Sequence, residues 1–322
     1  MDADVLSCRS QTLELLPTAN KKPDISPNDA LIELKTNSLL LVSKMATRLW
    51  SLASRLGLRN FWWPTLSNRN LTTTPKILAG STVDTEEIGK FTERANEWWS
   101  GSYSALQSMN TLRVPLVRDG ILYASGITAK KSSPLKGYKI VDVGCGGGLL
   151  SEPLARLGAT VTGLDPGEEN IAAATKHALQ DDEIKNRLNY VCDTIENFSL
   201  ISAGQFDAVV CSEVIEHVAD VQTFVNACVE LTKDGGSLFF TTINRTNLSY
   251  MLSILAGEYI LNILPRGTHD WNKFVQPKEL SDMLTTLNCR IVSINGMFYN
   301  PLSKNWSWCG DSSNNYALHA IK

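Results

Sequence analysis

The chain has 322 residues, of which 43% are hydrophobic and 20% are charged, and this composition excludes collagen-like, disordered and polytopic membrane proteins. Thirty Lys and Arg against 33 Asp and Glu give a net charge of −3. Because no bulk positive field would attract nucleic acid, we expect no nucleic-acid partner. The seven cysteines are odd in number and include no C-x-x-C pair, which indicates a reducing compartment.

The first 83 residues differ in composition from the rest of the chain. No Asp or Glu occurs from Lys35 to Val83, whereas seven Lys and Arg do. The apolar residues at helical spacing within this stretch are Met45, Leu49, Leu52 and Leu56. An amphipathic, basic, acid-free segment is typical of a mitochondrial transit peptide, and the alternative is a basic linker or a surface helix.

The leading end of this region is acidic, since residues 1–34 contain six Asp and Glu, which does not suit the start of a presequence. We therefore expect Met45 to be the working start and residues 1–44 to be an extension without structure. In this interpretation residues 1–83 form a largely disordered extension with the transit region, and residues 84–322 form the folded domain.

A short helix is predicted at the start of that domain. Asp84 followed by Glu87 resembles a capping box. The apolar stripe that follows at helical spacing is Ile88, Phe91, Ala95 and Trp98. An amphipathic helix buries its apolar face against the rest of the protein. We expect this helix to close over the ligand site of the domain.

Strands and helices alternate from Lys139 onward. The predicted strands are Lys139–Val143, Thr160–Leu164, Leu188–Cys192, Phe206–Cys211 and Ser237–Thr242, and the predicted helices are Leu149–Leu157, Asn170–Leu179 and Val221–Leu231. Nearly continuous apolar strands between helices indicate a parallel sheet covered on both faces. The predicted fold class is α/β, a doubly wound Rossmann-like sheet.

A glycine-rich turn follows the first predicted strand. Residues Asp142–Gly148 read D-x-G-x-G-x-G, and Gly144 and Gly146 would let a ligand approach the backbone closely. Leu149 stands where a dinucleotide fingerprint has its third glycine, and no G-K-[ST] follows. An acid two residues before the first glycine suits a ligand with a charged amino-acid end.

Two further acids follow the next two strands. Asp165 ends the second strand, where a carboxylate can accept the ribose hydroxyl protons, as in nucleotide-binding sheets. Asp193 follows the third strand, where it could accept the exocyclic amine of adenine. Together with the glycine turn they predict S-adenosylmethionine as the ligand. The structural alternatives are that Asp142 only holds the loop together and that Asp165 only caps a helix.

From about Asp84 to the C-terminus the sequence resembles the class I methyltransferases and, more closely, the ubiquinone-biosynthesis O-methyltransferases. The segments that carry this resemblance are Glu86–Phe91, Asn110–Arg113, Val141–Gly148, Ala159–Asp165, Glu213–Val218, Gly257–Leu261, Gly267–Asp270 and Tyr299–Pro301. The resemblance implies S-adenosylmethionine contacts from Arg113, Gly144, Asp165 and Ser212.

The same resemblance implies O-methylation of polyprenylated catechols, namely a polyprenyl-dihydroxybenzoate and a demethylubiquinol, in coenzyme Q biosynthesis. It also implies a place on the matrix side of the mitochondrial inner membrane and a coenzyme Q biosynthetic complex as partner. The alternatives are a methyltransferase for a soluble phenol and a non-catalytic S-adenosylmethionine-binding scaffold.

A catechol hydroxyl needs a general base or a Lewis-acid metal before it can attack a methyl group. Glu213, Glu216 and His217 have the spacing of one helical face. They are predicted to ligate Mg²⁺, an assignment the resemblance also implies, with Glu216 and His217 as the catalytic residues. The alternative is that they cap a helix and wall the cofactor site.

An apolar stretch interrupts the C-terminal part of the domain. Between Asn247 and Pro265 only Glu258 is charged, and the stretch is too short to cross a bilayer of about 30 Å. We predict an amphipathic insert over residues 244–275 that contacts a membrane surface through residues 246–264. The alternative is a lid helix over the substrate.

Overall fold

A computed structural model describes residues 82, 84–127, 132–250 and 270–322. The helices are α1 Thr85–Thr92, α2 Ser104–Ala124, α3 Ser151–Arg156, α4 Glu168–Ala178, α5 Ile195–Ser202, α6 Val221–Leu231, α7 Asn247–Ser249 and α8 Pro277–Thr286. The strands are β1 Lys139–Val143, β2 Thr160–Asp165, β3 Leu188–Cys192, β4 Phe206–Ser212, β5 Thr232–Ile243, β6 Arg290–Asn300, β7 Asn305–Cys309 and β8 Asn315–Ile321. Short 3₁₀ turns cover Ala95–Glu97, Lys185–Arg187, Ile215–His217 and Trp271–Lys273.

The eight strands form one sheet in the order β3-β2-β1-β4-β5-β8-β6-β7. The first five strands in this order, β3, β2, β1, β4 and β5, are parallel to one another. Strand β8 is antiparallel to β5 and to β6, and β7 is antiparallel to β6. The strand order reverses between β1 and β4, which is where open α/β sheets bind ligands beyond the carboxyl ends of their strands.

Both faces of the sheet are covered, as the sequence predicts. On β4, Val209 and Cys211 belong to the core that includes residues of α5, α6 and α8. Ala208 and Val210 belong to a second core on the opposite face, with residues of α2 and α3. Successive side chains of a strand point to opposite faces, so an apolar run places residues in both cores. The doubly wound fold class is confirmed.

The observed bounds differ from the predicted ones where glycines or turns intervene. The predicted helix over Leu149–Leu157 is shortened to α3, because the glycine turn continues to Leu150. Strand β5 begins at Thr232, and the turn predicted from Lys233 to Gly236 is an irregularity within it. On β4, Phe206 pairs with Thr232 of β5, and the next paired residue, Ala208, pairs with Ser237.

Thr82 lies within the predicted extension but is buried against the domain. Its N–H donates to Glu196, and its carbonyl accepts from the Ala219 N–H at 2.9 Å. Thr82 therefore contacts the domain although it lies two residues before the predicted boundary at residue 84. The remainder of the extension, including Met45 and the transit region, lies outside the described residues.

The predicted insert over residues 244–275 is described only at its two ends. Residues 251–269, which include most of the predicted membrane contact over 246–264, lie outside the described residues. Within the described ranges, no helix combines the length and the apolar character needed to cross a membrane.

Six cysteines fall within the described part of the chain, and all six are free thiols. The closest pair consists of Cys211 on β4 and Cys228 on α6, whose sulfur atoms lie 3.4 Å apart in the core.

Candidate functional site

A pocket lies beyond the carboxyl ends of β1 to β4, at the reversal of strand order. Its lining on the side of β1 to β3 includes Asp142, Gly144, Gly146, Asp165, Asp193 and Thr194. Its lining on the side of β4 includes Arg113, Ser212, Glu213, Val214, His217 and Val218. The residues that the sequence singled out therefore meet at one pocket, with the exception of Glu216.

The glycine turn adopts backbone conformations that other residues rarely reach. Gly144 and Gly146 have φ of 70° and 52°, in the left-handed region where glycine is favoured. A Cβ on Gly144 would lie 2.4 Å from Val214, and one on Gly146 would lie 2.5 Å from the Trp98 ring. Glycine is required here both by the backbone and by the side chains packed against it.

Two buried carboxylates hold this turn in place. The Ser151 hydroxyl donates to Asp142 Oδ2 at 2.6 Å, and the Gly146 N–H donates to Asp165 Oδ2 at 3.0 Å. Asp165 Oδ1 also accepts from the Gly167 N–H at 2.8 Å. Burial raises the pKa of Asp142 to about 6 and also raises the pKa of Asp165.

The alternative considered for Asp142 agrees with the hydrogen bond from Ser151, which braces the loop. The alternative for Asp165 is wrong, because the N-cap of α4 is Gly167 and no side chain caps that helix. The hydrogen bonds that Asp142 and Asp165 accept still allow them to bind a ligand. Both residues line the pocket, and a carboxylate oxygen has a second lone pair. Asp193 resembles them, since its Oδ1 accepts from the Thr194 N–H at 2.8 Å while the residue lines the same pocket.

Arg113 brings a buried positive charge to the opposite wall. The residue is 5% exposed, and burial lowers the pKa of its guanidinium to about 10, so it is charged at neutral pH. Its Nη1 donates to the Ser212 hydroxyl at 2.7 Å, and that hydroxyl lies 2.7 Å from Thr241 Oγ1. Helix α2 carries Arg113 and strand β4 carries Ser212, and the two side chains lie side by side.

The segment after β4 is not the helix that the sequence predicts. Glu213 has φ of 57°, a left-handed conformation that is uncommon for a residue with a side chain and occurs at functional sites. Only Ile215–His217 form a 3₁₀ turn. Glu213, Glu216 and His217 therefore do not share a helical face, and the spacing argument for them is wrong.

Glu216 points away from the pocket and into the core. It is 2% exposed, its Oε2 accepts from the Thr242 hydroxyl at 2.8 Å, and it does not line the pocket. Burial, followed by the nearby Glu213, raises the pKa of its carboxyl well above the ordinary value. In this arrangement Glu216 contacts β5 and not the pocket, so its predicted position at the pocket differs from the one observed, and its catalytic role stays a prediction.

The predicted metal site has no support in this arrangement. Among the described residues, no three His, Cys, Asp or Glu side chains are grouped so that they could hold a metal ion. The left-handed turn at Glu213 and the contact of Glu216 with Thr242 remove the helical spacing on which the predicted ligand set rested. The residues present do not fit a magnesium site in this conformation.

His217 instead pairs with a residue that the sequence analysis did not place in the site. Its Nδ1 lies 2.9 Å from Glu87 Oε2, and Glu87 belongs to α1. Lys273 lies 2.8 Å from Asp84 Oδ2 and 3.5 Å from Glu87 Oε1. The capping interpretation of Asp84 is half correct, since Asp84 accepts from the Glu87 N–H at 3.3 Å.

Aromatic side chains from the segment after α1 cover the glycine turn. The Trp98 indole N–H donates to Asn170 Oδ1 at 2.8 Å, and that of Trp99 donates to the Gly147 carbonyl at 2.9 Å. Trp99 also stacks on His177 with ring centroids 3.5 Å apart. The prediction that the N-terminal segment closes over the ligand site agrees with these contacts, although α1 itself ends at Thr92.

Comparisons with known proteins agree with this geometry. The Methyltransferase domain family matches residues 141–240. The chain is 46% identical over 252 residues to a Bos taurus protein named ubiquinone biosynthesis O-methyltransferase, mitochondrial, covering 78% of this chain and 68% of that protein. A Rhizobium leguminosarum protein named ubiquinone biosynthesis O-methyltransferase is 44% identical, covering 75% of this chain and 95% of that protein.

Among solved structures, the plantazolicin methyltransferase BamL in complex with SAH matches with a TM-score of 0.50 at 13% identity, covering 73% of this chain and 90% of that one. At that identity the likeness concerns the fold alone. The chain has the class I fold of S-adenosylmethionine-dependent methyltransferases, and it belongs to the ubiquinone biosynthesis O-methyltransferase family.

Proposed function

We propose that this chain transfers the methyl group of S-adenosylmethionine to a hydroxyl of a polyprenylated catechol in ubiquinone biosynthesis. The observation that carries the proposal is that one pocket joins the glycine turn and the acids at the ends of β1 to β3 to an imidazole after β4. The names of relatives at 44% and 46% identity support the substrate class.

The cofactor half of the pocket offers a partner for each part of S-adenosylmethionine. We assign the amino-acid carboxylate to Arg113 and Ser212, and the ammonium group to the wall that contains Asp142. The ribose hydroxyls are assigned to Asp165 and the adenine amine to Asp193. Gly144 and Gly146 provide the left-handed turn that brings the loop to the pocket wall.

Methyl transfer is an in-line displacement that needs a deprotonated oxygen, and S-adenosylmethionine supplies the methyl group on a positively charged sulfur. An imidazole whose Nδ1–H donates to a carboxylate has Nε2 as its acceptor nitrogen. We assign that role to His217, which Glu87 orients. The catechol proton passes to Nε2 as the oxygen–methyl bond forms and the carbon–sulfur bond breaks.

The walls around His217 suit an aromatic ring. The Phe91 ring makes an edge contact with the imidazole at 5.1 Å between centroids, and Leu106, Val218 and Phe224 also line the pocket. Apolar walls exclude water from the reacting oxygen and hold the ring in place. This chemistry fits a phenolic substrate.

A polyprenyl tail favours a reaction at the membrane surface. We propose that residues 246–264 lie on the membrane. Leu248 and Tyr250, at the described start of this segment, are 42% and 44% exposed. Liposome flotation of a form lacking residues 246–264 tests this, because unchanged lipid binding would remove the hypothesis.

We also propose the matrix side of the mitochondrial inner membrane as the location, and a coenzyme Q biosynthetic complex as the setting. Several relatives are named mitochondrial, including those of Bos taurus and Dictyostelium discoideum. Import into isolated mitochondria, followed by carbonate extraction and native electrophoresis, tests both. A protein left outside the mitochondria would contradict the location, and one that migrates alone would contradict the complex.

The reaction is tested by transfer of labelled methyl from S-adenosylmethionine to a short-tailed demethylubiquinol analogue. The wild type should methylate it, and His217→Asn should lose most of the rate while still binding S-adenosylhomocysteine. Thr111→Val, an exposed change on α2, is the matched control. An active His217→Asn would contradict the base, and loss of activity with a chelator that Mg²⁺ reverses would favour the metal interpretation instead.

A further inference from the structure

Both polar atoms of the Asn110 side-chain amide form hydrogen bonds, and the two atoms contact different walls of the cofactor half of the pocket. Its Oδ1 accepts from Arg113 Nε at 3.0 Å and from Arg113 Nη2 at 2.6 Å. Its Nδ2 donates to the Leu149 carbonyl at 2.7 Å. Leu149 lies in the last part of the glycine turn and lines the pocket. One amide thus connects helix α2 to the loop between β1 and α3.

These contacts decide which edge of the guanidinium is presented. Arg113 Nη2 also donates to the Leu106 carbonyl at 2.7 Å, so the Nε and Nη2 edge is occupied by Asn110 and Leu106. A guanidinium has five N–H donors in a fixed plane. The edge that remains is Nη1, which reaches the Ser212 hydroxyl at 2.7 Å on the pocket wall.

Two carboxylates lie near this buried cation, since Glu213 and Asp142 both act to raise its pKa. The hydrogen bonds described for its guanidinium run to neutral acceptors, namely an amide oxygen, a backbone carbonyl and a hydroxyl. Buried charges are normally paired with an opposite charge, and guanidinium groups bind carboxylates most strongly through directed hydrogen bonds. A ligand carboxylate at the Nη1 edge would complete the site.

We propose that Asn110 is a positioning residue for the cofactor, which turns the Nη1 edge of Arg113 toward the amino-acid carboxylate and fixes the Leu149 end of the glycine turn. The inference rests on the proposed function, because it assumes that Arg113 receives that carboxylate. An asparagine fits the position because it combines an acceptor for the guanidinium with a donor for a carbonyl. Neither aspartate nor leucine offers both.

The test compares two ligands that share the adenosyl thioether and differ in the amino-acid end, which is the part that Arg113 is proposed to bind. S-adenosylhomocysteine has the amino-acid end, whereas 5′-methylthioadenosine keeps the adenosyl thioether without it. By calorimetry, Asn110→Leu should weaken S-adenosylhomocysteine at least tenfold and leave 5′-methylthioadenosine within about twofold. Thr111→Val is the control, since its hydroxyl donates to the Ser108 carbonyl at 2.9 Å on the exposed side of α2. It should change neither affinity.

A double-mutant cycle tests whether Asn110 acts through Arg113. If it does, Asn110→Leu should add little to the loss caused by Arg113→Met, because the two changes remove one interaction. Asn110→Asp serves as a second variant if the leucine form is unstable. It should also weaken S-adenosylhomocysteine selectively, because its charge neutralises the guanidinium.

Equal weakening of both ligands, or full additivity with Arg113→Met, would overturn the inference while leaving the proposed function in place. A wild-type chain that binds neither ligand would overturn both. An Arg113→Met variant that binds S-adenosylhomocysteine like the wild type would refute the Arg113 assignment, and the role of Asn110 with it.

Discussion

Backbone strain and steric clash are two separate reasons why the glycine turn tolerates no side chain. Alanine substitutions at three glycines, inside and outside the turn, distinguish the two effects. Gly126 has φ of 66° with open space around it, so Gly126→Ala introduces only backbone strain. Gly147 has no such φ, but a Cβ there would lie 2.4 Å from Trp98 Cβ, so Gly147→Ala introduces only a clash. Gly146→Ala introduces both, with φ of 52° and a contact of 2.5 Å with the Trp98 ring.

The expected losses follow from these distances. Left-handed strain costs about 1–2 kcal/mol, and an alanine recovers about 0.4–1 kcal/mol by restricting the unfolded chain, so Gly126→Ala should lower the Tm by only a few degrees. Overpacking costs about 1–3 kcal/mol. Gly147→Ala should therefore cost more than Gly126→Ala, and Gly146→Ala should cost about the sum of the two effects.

Ligand binding separates the variants more sharply than stability does. The atom nearest to a Cβ on Gly147 is Trp98 Cβ, next to the main chain, so the covering segment itself must move. We expect Gly147→Ala to weaken S-adenosylhomocysteine at least tenfold by calorimetry, and Gly126→Ala to bind it like the wild type. If Gly147→Ala binds with wild-type affinity, the packing of Trp98 on the turn does not matter for the cofactor site, and this reasoning is refuted.

Other changes test the remaining parts of the account. The folded-state pKa of Asp142 is raised to about 6 by burial, so its charge costs stability above that pH and the cost disappears below about pH 4. Asp142→Asn should therefore gain up to about 3 kcal/mol over the wild type between pH 4 and pH 7 in urea denaturation, and a pH-independent difference would contradict this. Glu87→Gln keeps the shape beside the pocket imidazole but removes the charge. It should lower kcat about tenfold or more while S-adenosylhomocysteine affinity stays within about twofold, and an unchanged kcat would show that the charge of Glu87 does not assist the imidazole. Gly120→Ala should lower the Tm, because its Cβ would lie 2.5 Å from the Phe239 ring in the core, whereas Gly89→Ala, with open space on α1, should not; equal Tm values would contradict the packing argument.

The parallel part of the sheet was predictable because its strands are short, apolar and bounded by turn residues. The predicted bounds of β1 and β3 match those observed. The antiparallel strands β6 to β8 were not predicted. Their order depends on pairing between β5 and β8, which are far apart in sequence and have no shared local pattern.

The site was predictable where it depends on strand ends and not where it depends on side-chain direction. Asp165 ends β2 and Asp193 follows β3, and both line the pocket as expected. Glu216 was misplaced because the left-handed Glu213 breaks the helical spacing on which its assignment rested. Glu87 was missed because its local pattern explained it as a cap, while its carboxylate reaches His217, 130 residues away.

The central claim is that the pocket beyond β1 to β4 binds the cofactor with its amino-acid end toward helix α2. A crystal structure of the chain soaked with S-adenosylhomocysteine tests this most directly. We predict the carboxylate within hydrogen-bond distance of Arg113 Nη1 and the ribose against Asp165. A ligand bound in the reverse orientation, or outside this pocket, would contradict the account.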